Sequence, residues 1–219
     1  MRGRSEERRQ VRREQILAGA RRTFAERGYQ GTTIRHIEEA CELTRGAIYY
    51  HFRDKQEIYV SALTVGLRLL RDEFASAVRD READPRELIV RLLDTYCEFY
   101  RARPDFFRIA QHFFFGWEER SDLDEALVEE ITGLASECLE ILAGVLARGV
   151  ERQLFVSRDP FFETLLLWSM VTNMVQLTED NPRAVLLRLS WDDLKTRLLE
   201  NVLDRLCRGA PGLEEVSTS

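Results

Sequence analysis

The sequence is poor in the residues that build disulfide frameworks and metal sites. Its 219 residues contain four cysteines, Cys41, Cys97, Cys138 and Cys207, which lie tens of residues apart without a C-x-x-C pair. The three histidines are equally scattered. This spacing indicates neither a zinc site nor a disulfide framework, so we expect the thiols in the core of a protein from a reducing compartment. We predict no metal site and no cofactor.

Long apolar runs are also missing. No run approaches the roughly 18 apolar residues that span a bilayer, and the first nine residues hold no apolar stretch of the kind found in signal peptides. We therefore expect a cytoplasmic protein with no membrane partner. With 44% hydrophobic and 32% charged residues and only five prolines, the composition is that of a folded chain of one or two domains.

Positive charge is scarce in total but uneven along the chain. The net charge is −6, and only two of the 32 cationic residues are lysines. Residues 1–60 hold 13 Lys and Arg against 9 Asp and Glu, a net charge of +4, whereas residues 61–219 carry −10. A basic N-terminal quarter on an acidic body is typical of a polyanion-binding module attached to a larger domain.

Strand patterns are absent as well, and every long periodic stretch has the period of a helix. We predict an all-α fold of about nine helices. The first helix ends at Gly28, a residue type that favours the position after a helix. Asp54, with Glu57 three residues later, forms a capping-box pattern that opens a long helix reaching Val78.

Proline and cap residues divide the remainder of the chain. Pro85 and Pro160 suit first helical positions, and Ser190 can cap a last helix that Gly209 ends. The segment 209–219 is expected to be a disordered tail.

Two short helices joined by a tight turn are predicted over residues 33–52, which is the helix-turn-helix arrangement. In that arrangement the second helix enters the major groove of DNA. Thr44 can cap this helix, and Gly46 and Ala47 keep its first turn narrow enough to approach base edges. Lys55, in the first turn of the next helix, can hold a phosphate.

An ordered series of residues runs through this region: Gly28-Tyr29, Thr32-Thr33, Ile37, Ala40, Leu43-Thr44, Gly46, Tyr49, His51-Phe52 and Lys55. The series resembles the N-terminal signature of the TetR family of bacterial transcriptional repressors, over roughly residues 10–60. Glu42 departs from the signature at a turn position where the family usually has Gly. The length and helical pattern of the remainder also resemble the family's ligand-binding and dimerising domain.

We divide the chain accordingly into four parts. Residues 1–9 form a flexible basic arm, 10–60 a DNA-binding domain with the helix-turn-helix at 33–52, 61–208 a ligand-binding and dimerisation domain, and 209–219 the tail. The arginine run from Arg2 to Arg13 is either an arm that seeks phosphates or the minor groove, or a solubilising segment.

The resemblance implies which side chains contact DNA. The candidates are Thr33, Leu43, Thr44, Arg45, Gly46, Ala47, Tyr49, Tyr50, His51 and Lys55. Thr33 and the last three of these would contact the phosphate backbone, and the others would face the groove. Alternatives stay open for three of them: Tyr50 as a core aromatic, Arg45 as a solvated side chain and His51 as a cap of the helix end.

Nine aromatic residues lie between Tyr96 and Trp117, and no single helix face can bury the run 113–115. Either neighbouring helices pack over these rings or the rings close a large apolar pocket. The candidate ligand-binding residues are Tyr96, Phe99, Tyr100, Phe107, His112, Phe113, Trp117, Trp168, Met170, Asn173 and Met174. The aromatic content favours an apolar small-molecule effector.

The resemblance implies a homodimer formed through helices 161–177 and 191–207. Two recognition helices held about one DNA turn apart, roughly 34 Å, read a palindrome. We therefore predict a repressor that binds a palindromic operator and is released by its effector. The alternative is an all-α small-molecule binding protein or enzyme that uses the aromatic pocket without specific DNA binding. No nucleophile, base and orienting group occur at suggestive spacing, so we do not expect catalysis.

Overall fold

The computed structural model describes residues 2–115, 123–176 and 190–208. All regular structure within these ranges is helical and forms nine helices: α1 Arg2–Arg27, α2 Ile34–Cys41, α3 Arg45–His51, α4 Lys55–Ala77, α5 Pro85–Ala102, α6 Pro104–Phe115, α7 Glu125–Glu151, α8 Pro160–Val175 and α9 Trp191–Cys207. The predicted fold class is confirmed. Trp117, residue 177 of the predicted dimer segment, and the tail at 209–219 lie outside the described residues.

Helix ends coincide with the cap residues that the sequence shows. The Asp54 carboxylate accepts a hydrogen bond from the Glu57 backbone N–H at 2.8 Å, and the Glu57 carboxylate accepts one from the Arg53 backbone N–H at 2.6 Å. At the start of α9, the Ser190 hydroxyl accepts from the Asp193 backbone N–H at 3.1 Å. These side chains satisfy N–H groups that have no partner inside the helix.

The first of two compact units comprises Met1–Leu69 and Arg103–Leu134. In it, α1 packs against α2 and α6, and α2 packs against α3. Its core includes three fully buried side chains, Ile16, Ile37 and Ile48. One fully buried residue from each of α1, α2 and α3 therefore fixes the helix-turn-helix to the helix that precedes it.

The second unit comprises Leu70–Ala102 and Ala135–Ser219. Here α5 packs against α8 and α9. The Lys195 ammonium of α9 donates hydrogen bonds to Glu98 at 3.0 Å and lies 2.8 Å from Asp94, both on α5. Helix α9 is therefore attached to α5 by charge as well as by its buried residues Val202 and Leu206.

Two expected boundaries differ from the structure. Residues 2–9, expected as a flexible arm, are the first two turns of α1, because the Glu and Arg residues at positions 6–9 favour helix. The compact units also differ from a division at residue 60, because α4 contributes residues to both and α6 belongs to the first.

The cysteines are core residues. All four are buried free thiols. Burial raises the pKa of the Cys97 and Cys138 thiols to about 12, so both are protonated and unreactive at neutral pH. Within the described ranges, no helix has the length and apolarity needed to cross a membrane.

Candidate nucleic-acid interface

The turn between α2 and α3 is made by a residue in left-handed conformation. Glu42 has φ 57° and ψ 39°, and its backbone N–H bonds to the Glu38 carbonyl. The Leu43 N–H bonds to the same carbonyl at 3.2 Å. This conformation favours Gly, because a residue without a β carbon adopts it without steric cost. Glu42 therefore replaces the glycine that the family usually has here, and the turn keeps its geometry.

Helix α3 buries a single side chain. Ile48 is fully buried, whereas Arg45, Gly46, Tyr49 and Tyr50 are exposed, Tyr50 by 73%. The alternative of Tyr50 as a core aromatic is thereby excluded. A seven-residue helix held by one side chain presents nearly its whole outer face to an incoming partner.

The two residues before α3, Leu43 and Thr44, fix the start of the helix. The Thr44 hydroxyl accepts a hydrogen bond from the Ala47 backbone N–H at 3.3 Å, which caps the helix as predicted. Leu43 packs against the core of the first unit. Arg45 lies 3.9 Å from Glu38, and this exposed ion pair is the kind that contributes little to stability. The guanidinium of Arg45 is therefore solvated in the free protein and can exchange Glu38 for an anionic partner.

Thr33 caps α2 from an exposed position. Its hydroxyl accepts from the His36 backbone N–H at 3.3 Å, and its own backbone N–H donates to Nδ1 of His36 at 3.3 Å. The sequence reasoning named Thr33 but missed the reciprocal bond, because the third helical position of such boxes is usually Glu or Gln.

His51 lies at the end of α3, partly buried against the edge of the Tyr50 ring at 5.1 Å. Its Nδ1 atom is buried and has no hydrogen-bond partner. Burial, followed by the positive charges of Arg9, Arg13 and Arg12, lowers the pKa of His51. The imidazole is therefore neutral at pH 7, and the positive charges of three arginines of α1 disfavour its protonation.

Lys55 is turned towards the protein itself. Its ammonium donates to the Tyr29 carbonyl at 2.9 Å and the Thr32 carbonyl at 3.1 Å, and lies 4.0 Å from the centre of the Tyr29 ring. These contacts join the start of α4 to the connector between α1 and α2. A structural role thus accompanies the predicted phosphate contact, which stays a prediction.

The candidate ligand residues are divided between the two units. Phe107, His112 and Phe113 belong to the first, where Phe113 is fully buried and the other two are partly exposed. The members in the second unit are Tyr96, Phe99, Tyr100, Trp168, Met170, Asn173 and Met174. Within it, Asn173 is exposed, Trp168 and Met170 are partly exposed, and the rest are buried.

A buried polar contact distinguishes the second unit. The hydroxyl oxygens of Tyr96 and Thr172 lie 2.6 Å apart, and the Tyr96 and Tyr100 rings meet at 4.8 Å. Burial raises the pKa of both tyrosines, so both phenols stay neutral. This pair places neutral hydrogen-bonding groups in apolar surroundings.

Comparison with known proteins gives one family match. The family model described as "Bacterial regulatory proteins, tetR family" matches residues 16–62. The HTH-type transcriptional repressor Rv1474c of Mycobacterium tuberculosis is 38% identical over 125 residues, which are 53% of this chain and 62% of that protein. The chain thus matches less than two thirds of that relative's length.

Solved structures extend the likeness to most of the chain. PfmR of Thermus thermophilus, a TetR family transcriptional regulator, covers 86% of this chain and 96% of its own at 24% identity, with a TM-score of 0.71. AibR, solved in complex with isovaleryl coenzyme A and operator DNA, covers 90% of this chain and 98% of its own at 19% identity, again with a TM-score of 0.71. At these identities the likeness shows the fold.

Proposed function

We propose that the protein is a transcriptional repressor of the TetR family, because the model of that family matches residues 16–62. In this proposal it binds a palindromic operator as a homodimer and leaves the DNA when an apolar small molecule binds its second unit. The observation that carries the proposal is the exposed outer face of α3, a helix in which Ile48 is the one buried side chain.

The face of α3 has the side chains that groove recognition requires. Thr44 and Arg45 supply hydrogen-bonding groups, Gly46 allows close approach to base edges, and Tyr49 is exposed by 47%. An exposed aromatic on a short helix gains nothing for the free protein. Its contribution is expected in the complex, where the ring covers thymine methyl groups or the sugar edge.

The test is the substitution Tyr49→Ala, with Phe115→Ala as its matched control. Phe115 is also an exposed aromatic, on α6, with 60% of its surface accessible. Binding is measured on duplexes that the wild-type protein selects from a random pool. Tyr49→Ala should weaken specific binding by about 1–3 kcal/mol, with the free energy of unfolding changed by less than about 0.5 kcal/mol. Equal affinities for wild type and Tyr49→Ala would contradict the proposed reading helix.

The dimer is proposed to form through α8 and α9. Phe161 and Phe162, at the start of α8, are exposed by 51% and 56%, and Leu165 is only partly buried. Adjacent exposed aromatics are costly in a monomer and typical of interfaces. Replacing both phenylalanines by serine should weaken self-association at least about tenfold in sedimentation equilibrium. An unchanged dimerisation constant would place the interface elsewhere.

The effector is proposed to bind the aromatic groups of the second unit. The Tyr96–Thr172 hydroxyl pair supports a ligand with an apolar body and one hydrogen-bonding group, such as a carbonyl. Acyl thioesters have this chemistry, and the fold neighbour AibR was solved with isovaleryl coenzyme A. Acyl thioesters are therefore the class to test first.

The test uses acyl-coenzyme A esters of increasing chain length, with free coenzyme A as the control. The comparison distinguishes a specific site for the acyl chain from general binding. A true effector raises the melting temperature with concentration and releases a bound duplex over the same range. Stabilisation without release would show binding that is not coupled to DNA. The proposal assigns no catalytic activity and no cofactor to the chain, and it places the protein in the cytoplasm.

A further inference from the structure

We propose that Glu38 of α2 is a specificity-determining residue for DNA: it holds Arg45 of α3 through Nε, so that the terminal NH2 groups of the guanidinium read a guanine. The inference rests on the proposed DNA binding and deepens it, because it names the base and the residue that directs the reading side chain. Glu38 is a positioning residue, which acts through Arg45 and not by its own contact with DNA.

The backbone of Glu38 is fixed at the turn of the helix-turn-helix. Its carbonyl accepts hydrogen bonds from the Glu42 backbone N–H and, at 3.2 Å, from the Leu43 backbone N–H. The preceding residue, Ile37, is fully buried in the core of the first unit. The Glu38 side chain is only 24% exposed. The carboxylate is therefore attached to a rigid part of the fold and mostly covered by it.

The ion pair uses one edge of the guanidinium. Nε of Arg45 lies 3.9 Å from Oε2 of Glu38, and the Arg45 side chain is otherwise exposed. Guanidinium donors lie on Nε and on the two terminal nitrogens. With Nε beside Glu38, the terminal N–H groups remain for a partner outside the protein. Guanine presents O6 and N7 as paired acceptors in the major groove, and a bidentate arginine is the commonest specific contact to them.

The carboxylate favours a base over a phosphate as the partner of Arg45. A phosphate would have to displace Glu38 against the repulsion of like charges, whereas a guanine edge is neutral and leaves the ion pair intact. Arg45 is the first residue of α3, and the N-terminal residues of a recognition helix are those that contact base edges. The pair contributes little in water. Its effect is expected in the complex, where the base pairs exclude water and strengthen the interaction.

The test compares Glu38→Gln with the matched control Glu39→Gln. Glu39 is the next residue of α2 and pairs with Arg35 of the same helix at 3.0 Å, so each change removes one carboxylate from one arginine. Arg45→Ala first identifies the base. The position at which duplexes selected from a random pool lose their guanine is the position that Arg45 reads. Thermal melting checks that all variants fold.

Affinity is then measured for the selected duplex and for the same duplex with that G·C pair replaced by A·T. Wild type and Glu39→Gln should prefer the G·C duplex by about tenfold, and Glu38→Gln by about twofold or less. Affinity of Glu38→Gln for a mixed-sequence duplex should not fall, because the lost charge repels phosphates. In the Arg45→Ala background, Glu38→Gln should leave the preference unchanged.

A Glu38→Gln protein with the wild-type preference would overturn the positioning role while the proposed function stands. An Arg45→Ala protein that selects the wild-type consensus would overturn it as well. So would a preference that Glu38→Gln still changes in the absence of Arg45, because Glu38 would then contact the base itself. A wild-type protein that selects no sequence would instead overturn the proposed function.

Discussion

The turn between α2 and α3 holds the backbone of Glu42 in the left-handed conformation, which lowers the stability of the fold. A left-handed residue with a β carbon is disfavoured by roughly 1–2 kcal/mol, and Gly avoids this cost. Because Gly also gains entropy in the unfolded chain, Glu42→Gly should raise the free energy of unfolding by only about 0.5–1 kcal/mol.

Urea unfolding of Glu42→Gly measures this gain, and Glu39→Gly supplies the control. Glu39 is an exposed residue inside α2, where Gly should destabilise by about 1 kcal/mol. Opposite signs for two Glu→Gly changes three residues apart identify the backbone as the cause. A lower free energy of unfolding for Glu42→Gly would contradict the cost assigned to the left-handed backbone at this position.

Lys55 illustrates how a residue of the signature can serve the fold. Its ammonium donates to two backbone carbonyls, and charged hydrogen bonds of this kind are worth about 1.5–3 kcal/mol. Lys55→Ala should therefore lower the free energy of unfolding by about 2 kcal/mol in urea titrations without DNA. Full stability with lost DNA affinity would mean that the side chain serves the phosphate alone.

The lowered pKa of His51 predicts that the free energy of unfolding falls in acid. Its pKa is lowered by burial and then by Arg9, Arg13 and Arg12, so the unfolded chain takes up a proton at higher pH than the folded one. The contribution is fully present above about pH 6.5, the ordinary value, and is lost as pH falls through the lower folded value. Unfolding measured between about pH 7.5 and 5.5 should show a shallower decline for His51→Gln. Identical slopes would contradict the environment described for His51.

Sequence reasoning at single positions found the exposed face of α3 but not the inward contacts. Tyr49 and Tyr50 follow from their places in a short helix with one buried side. The bond from Lys55 to the Tyr29 carbonyl joins residues 26 positions apart, and no local pattern encodes that approach. His36 as the partner of Thr33 was missed because histidine is an unusual member of a capping box.

Among the helices, α4 and α6 meet at a position that only glycine fits. A β carbon built at Gly66 would clash with the ring of Phe106. Gly66→Ala should therefore destabilise the first unit by about 2 kcal/mol, despite the better helix propensity of Ala. Gly133 on α7 has open space at its β position, and Gly133→Ala should stabilise by about 0.5–1 kcal/mol.

Denaturant unfolding of the two variants tests this contrast, and the double variant Gly66→Ala, Phe106→Leu adds a check. The smaller side chain should restore part of the loss, because it removes the atoms that clash. Equal effects of alanine at positions 66 and 133 would show that α4 and α6 are not closely packed there.

Helix bounds were largely predictable because caps and prolines act locally. Asp54, Pro160 and Ser190 all begin helices where the sequence indicated. The beginning of α1 at Arg2 and the membership of α6 in the first unit were not predicted. Arginine-rich segments fit an arm or a helix equally well, and which unit a helix joins depends on contacts between distant residues.

The net charge of the full chain is −6, but the charge is unevenly distributed along the sequence. The proposed DNA binding by the N-terminal part accounts for this distribution. The N-terminal 60 residues are basic by four charges. The acidic remainder belongs mainly to segments that the proposals assign to dimerisation and effector binding. Repulsion between that acidic part and DNA favours binding through the N-terminal face alone.

Selection of duplexes from a random-sequence pool by the wild-type protein, read by sequencing, tests the central claim most directly. The account predicts a palindromic consensus whose half-sites are about 10 base pairs apart, which matches two α3 helices about 34 Å apart. Tyr49→Ala should lose that enrichment while retaining its fold. A wild-type pool without any enriched sequence, or the same enrichment by Tyr49→Ala, would contradict the account.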